Sequence, residues 1–81
     1  MENATYYIVP DPAGTDWTVH HDGTDLGRFS SYDDAVKIAV KMAESACEIG
    51  FASSAVSVRD KGDFEVIFRC EPATAITAIL E

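Results

Sequence analysis

The chain opens with a short run, Tyr6 to Val9, in which strand-forming residues alternate between two faces. Pro10-Asp11-Pro12-Ala13-Gly14 breaks that run, because proline donates no ladder hydrogen bond and fixes its own backbone. Trp17 to His21 reads as a second strand, with Trp17, Val19 and His21 on one face. Asp22-Gly23 marks a turn, which the following Thr24-Asp25 extends beyond two residues. Leu26 to Phe29 completes a meander as a third strand, weakened by Gly27.

The pattern then changes period. Ser31 is placed to cap a helix, with Asp34 three residues on as an acidic capping partner, and Asp33 and Asp34 suit the positive end of the helix dipole. Over residues 32–49 the polar side chains Asp33, Asp34, Lys37, Lys41, Glu44, Ser45 and Glu48 fall within an arc of roughly 120°. Ala35, Val36, Ile38, Ala39, Val40, Met42, Ala43, Ala46, Cys47 and Ile49 fill the rest. Several alanines on that face permit a close approach to a sheet. Gly50 stands where a left-handed residue ends a helix.

Ala55 to Arg59 and Phe64 to Arg69 are two alternating runs joined by Asp60-Lys61-Gly62-Asp63, a hairpin. In this reading Phe64, Val66 and Phe68 point inward, and Val56 and Val58 face them. From Pro72 onward the chain is apolar, and Ile76, Ile79 and Leu80 recur at helical spacing, although the Thr and Ile content also suits a strand. Such a segment docks on its own sheet or on a second copy, which makes these three residues a candidate interface. The pattern therefore predicts an α+β fold: an antiparallel sheet of about five strands, in the order β-β-β-α-β-β, packed on one amphipathic helix. Residues 1–81 form a single domain, with 72–81 as an apolar C-terminal extension.

Charge narrows the function classes. Six Lys and Arg against 14 Asp and Glu give a net charge of −8, which repels phosphate backbones and anionic lipid. Direct nucleic-acid or membrane binding is not expected, and the apolar runs fall short of a membrane span of about 20 residues. The N-terminal Met-Glu-Asn-Ala-Thr lacks the basic, then apolar, start of a secretory signal, so a cytoplasmic protein of bacterial or phage type is expected. Cys47 and Cys70 each stand where an apolar residue would serve and are expected as buried, reduced thiols.

Little in the chain points to chemistry. His20-His21-Asp22 has metal-ligand residue types, but neighbouring strand residues face opposite ways, and two ligands make a poor site. Asp22-Gly23-Thr24-Asp25 lacks the alternating ligands and terminal Glu of a calcium loop. Cys47 has no base implied by its spacing. Catalytic, cofactor and metal sites are not expected. The eight aromatics read mainly as core, with Tyr7 and Tyr32 as the ones to inspect for exposure.

The succession Tyr7-Ile8-Val9-Pro10, Trp17-Thr18-Val19, an Ala-rich helix with a Ser cap, and a hairpin carrying Arg59-Asp60-Lys61-Gly62 resembles a family of small bacterial proteins, domain of unknown function 2188. The resemblance covers residues 6–69 and implies a strand meander, one helix and a closing hairpin in stand-alone proteins without an assigned activity. Members carry more basic residues in strands and hairpin than this chain does, and the apolar tail is this chain's own. No functional residue carries over.

Two functions fit. One is a non-enzymatic interaction module that binds a protein partner or a second copy. The other is a phage- or plasmid-type inhibitor of the anti-CRISPR or anti-restriction class, which mimics nucleic-acid charge. The second requires a clustered acidic contact patch, for which Asp22, Asp25, Asp33, Asp34, Asp60 and Asp63 are the candidates.

Overall fold

The computed structural model describes residues 3–12, 14–59 and 62–72. Three strands, β1 (Asn3–Pro10), β2 (Trp17–His21) and β3 (Thr24–Phe29), precede the helix α1 (Tyr32–Glu48). Two more, β4 (Ala52–Val58) and β5 (Phe64–Cys70), follow it. The fold is α+β, with one five-stranded sheet in the order β3-β2-β1-β4-β5.

The sheet is mixed rather than antiparallel, because β1 and β4 run parallel at its centre while every other pair is antiparallel. Direction follows from the helix. β3 ends beside Trp17, at the far end of the sheet where β1 also ends. The 17 residues of α1 then carry the chain back by about 25 Å, close to the length of β1. β4 starts beside Asn3 and must run the same way as β1. A strand count alone cannot show which edge β4 takes, and it takes the open edge of β1.

The local signals place the turns. Ser31 is extended, and its hydroxyl accepts a hydrogen bond from the Asp34 amide at 3.4 Å, the expected cap. At the other end Gly50 has φ +110, its amide donates to Cys47 O, and the Phe51 amide donates to Ala46 O. That is a Schellman closure, which the glycine permits. The β2–β3 connection is shorter than its sequence suggests. Asp22 (φ 52) and Gly23 (φ 79) form a two-residue turn, and Thr24 already pairs with His21. Gly27 in β3 leaves room for the Phe29 ring, which an added Cβ would meet at 3.0 Å.

One sheet face receives the helix. Ala4, Tyr6, Ile8, Val19 and Ala55 pack against Ala35, Ala39, Ala43 and Ala46, with Trp17, Phe29, Ile67 and Phe68 around them. Trp17, Val19 and His21 share this face as expected. Ala35, Ala39 and Ala43 are completely buried, so the helix backbone lies close to β1 and β4. The buried hydroxyl of Ser53 donates to Ala43 O, and Tyr32 donates to Ser57 Oγ at 2.9 Å. Close approach leaves no room for a longer side chain at these alanines. Ala39→Leu is therefore expected to cost about 2 kcal/mol and to lower the melting temperature by about 10 °C. Thermal unfolding followed by circular dichroism checks this, and an unchanged melting temperature would mean a looser helix–sheet contact.

The closing hairpin departs from simple alternation. Ala55 pairs with Phe68, but Val56 pairs with Val66, so Ile67 is an extra residue on β5. The bulge reverses the facing of the strand. Phe68 packs on the core, whereas Phe64 and Val66 lie on the outer face with Val56 and Val58, the reverse of the inward expectation.

Cys47 and Cys70 are joined in a disulfide, which corrects the expectation of reduced thiols. The Cα atoms stand 6.0 Å apart, within the bonding range. Cys47 lies in the last turn of α1, and Cys70 pairs with Ser53, whose side chain also points to the helix. Sequence spacing did not place a helix end over the end of a strand entered 17 residues later.

Candidate functional site

Two ends of the sheet organise the surface. At the near end lie the starts of β1 and β4, the β2–β3 turn, the end of α1 and the disulfide. At the far end lie Pro10, Trp17, Tyr32 and the β4–β5 connection.

One concavity opens at the near end. It is a groove of about 830 Å³ between the C-terminal half of α1 and the edges of β1 and β2. Met42, Ser45, Ala46 and Ile49 form the helix wall, Tyr6 and Phe51 line it from the sheet side, and His21 and Asp22 close the opposite rim. Ile49 is 75% exposed and Met42 38%, so the helix wall is apolar and open to solvent.

This groove exists because the apolar arc of α1 is wider than the sheet can cover. A polar arc of roughly 120° leaves about 240° of apolar surface, while a helix lying on a sheet needs little more than about 100°. The alanines take the buried centre, and Met42 and Ile49 fall on the uncovered flank. The Schellman closure holds Ile49 and Phe51 at the mouth.

The imidazole in the groove is engaged in structure. His21 Nδ1–H donates to Thr5 O at 3.1 Å, and the ring stacks on Tyr6 with centroids 4.4 Å apart. His20 faces the other way and pairs with Asp25 at 2.6 Å. The two histidines thus serve opposite faces, as strand geometry requires.

A second concavity of about 380 Å³ lies at the far end, lined by Pro10, Trp17, Tyr32, Ser57, Val58 and Arg59. Trp17 meets Tyr32 edge to face at 5.9 Å. Tyr7 and Tyr32 are both exposed, at 41% and 37%.

The acidic candidates divide between the two ends. Asp22 and Asp25 belong to the near-end hairpin, whereas Asp33, Asp34 and Asp63 sit at the far end. The length of β2 separates the groups by about 13 Å or more. Asp60 and the candidate interface residues Ile76, Ile79 and Leu80 lie outside the described residues. Among the described residues no helix is long and apolar enough to cross a membrane.

Sequence reasoning missed Met42 and Ile49 as a surface, reading them as core, whereas Phe51 packs against the core as expected and also borders the groove. The signal was the excess width of the apolar arc. Compared with known protein families, curated proteins and solved structures, the chain finds no match.

Proposed function

We propose that this protein is a non-enzymatic interaction module whose near-end groove receives an apolar, basic-flanked segment of a partner protein. The observation that carries this reading is the open apolar wall formed by Met42 and Ile49 opposite Tyr6 and Phe51. Burying such a wall on a partner removes apolar surface from water, the main driving force of association. The charge supplies the flanks. Asp22 lines the groove, and a net charge of −8 attracts a basic partner over distances comparable to the Debye length.

The charge-mimic reading needs its carboxylates on one face, and the described ones lie at two ends, so the groove is the better-supported surface. The disulfide favours an oxidising compartment over the reducing cytoplasm. We therefore propose such a compartment in place of the cytoplasmic one that the N-terminal residues suggest.

The test uses a model amphipathic peptide of Leu and Lys, with a Ser and Lys peptide of equal charge as control. The Leu/Lys peptide is expected to bind more tightly, and Ile49→Asp is expected to weaken it by about tenfold. Phe64→Asp, on the outer sheet face, is expected to leave its affinity unchanged. Equal binding of the two peptides, or equal loss in both variants, would contradict the groove.

A further inference from the structure

Among the described residues β3 is bonded on one side only, to β2. Its register is irregular: Val19 pairs with Gly27 and His20 with Asp25, so Leu26 is an extra residue on β3. The bulge changes which side chains share a face. Asp25 stands opposite His20 and Arg28 opposite Thr18, and His20 and Thr18 point the same way. Asp25 and Arg28 therefore lie on one face of the sheet although three positions separate them.

The backbone follows the same spacing. The two-residue turn makes His21 and Thr24 the closing hydrogen-bonded pair, so the N–H and C=O of Asp25, one pair further on, are turned to the open side. Past the bulge the same holds for Arg28. The free edge thus offers two backbone bonding positions, one carrying an acid and the other a base.

We infer that β3 pairs antiparallel with β3 of a second copy, in the register that sets Asp25 against the partner's Arg28 and Arg28 against the partner's Asp25. The contact is isologous, so each ion pair occurs twice. Both side chains have room for it. Asp25 touches His20 at 2.6 Å and Arg28 reaches Asp11 at 3.9 Å, yet they remain 69% and 65% exposed. A carboxylate and a guanidinium can each serve more than one partner.

The bulge selects a second copy over another strand. A regular strand has its bonding positions two residues apart and cannot match a spacing of three, which is how bulges protect an edge. A second copy carries the same bulge. Its two-fold mate sets Leu26 opposite the partner's Gly27, which has no side chain to obstruct it. The other described edge lacks this match, because Glu65 pairs with Ser57 and Arg69 with Ser54, which puts the two charges on opposite faces. The net charge of −8 on each copy opposes association, but at physiological ionic strength it is screened beyond about 8 Å, and the contacts at the edge decide. α1 packs mainly on β1 and β4, so the two helices stand clear of the junction.

The experiment is sedimentation equilibrium on the full chain with its disulfide intact. Wild type is expected to be a dimer. Asp25→Arg alone and Arg28→Asp alone each set like charges opposite one another twice, and each is expected to weaken self-association by about tenfold or more. An equimolar mixture of the two variants is expected to recover the dimer, because arginine then faces aspartate at both positions. Hydrogen exchange at the Asp25 and Arg28 amides of wild type is expected to slow as concentration rises through the dimerisation range. Ile49→Asp, in the groove, is expected to leave the mass in solution unchanged, so this interface and the peptide groove can fail separately. A monomeric wild type with concentration-independent exchange would overturn the inference. So would a dimer that both single variants leave intact, or variants that do not recover association when mixed.

Discussion

Replacing both cysteines, Cys47→Ser with Cys70→Ser, is expected to destabilise the protein by about 3 kcal/mol. The bond closes a loop with a sequence separation of 23 residues, and its loss restores the conformational freedom of that loop in the unfolded chain. For a domain of this size the loss corresponds to a melting temperature lower by about 15 °C. It removes a considerable part of the margin available to so short a chain. The effect is expected to be uneven. Among the described residues β5 is an edge strand, bonded only to β4, and the disulfide ties its end to the last turn of α1. Amide exchange in the double variant should therefore accelerate first along Phe64–Cys70. Thermal unfolding and hydrogen exchange measure both parts. A native protein heavier by two hydrogens than the disulfide form, with a double variant as stable as wild type, would rule the bond out.

Ile8→Ala is the second large effect, also expected to cost about 3 kcal/mol. Ile8 is completely buried on the central strand, where it pairs with Val19 and packs beneath the helix alanines. Those alanines have no side chain that can reorient into the space, so the cavity should persist. Ile49→Ala, at a site 75% exposed, is expected to change stability by no more than about 0.5 kcal/mol. Denaturant unfolding of the two variants checks the contrast. Similar losses at both positions would contradict the division of apolar residues between core and groove.

That division also shows what the sequence carries and what it does not. Ser31, Gly50 and Asp22-Gly23 act over three or four residues, and the structure uses each as a cap or a turn. The opposed facing of His20 and His21 follows equally from strand period. Pairings between distant residues are set by topology instead. Nothing local to β4 says that it lies beside β1, and from that placement follow the parallel pair and the meeting of Cys47 with Cys70. The bulge at Ile67 is another such case. A strict alternation of Phe64, Val66 and Phe68 reads as one face, and one unpaired residue divides it.

The candidate site was partly legible for the same reason. Asp22 stood out by its residue type, and the groove that it lines depended on how much of α1 the sheet could cover. Met42 and Ile49 belong to the apolar arc in sequence and to the surface in the fold, because an alanine-lined contact is narrow.

The most direct measurement is amide chemical-shift mapping of the full chain titrated with the Leu/Lys peptide. The expected result is a set of perturbed amides confined to Tyr6, His21, Asp22, Met42, Ala46, Ile49 and Phe51, absent with the Ser/Lys peptide. Perturbations spread over all acidic residues, or centred on Phe64 and Val66, would contradict the groove as the binding surface.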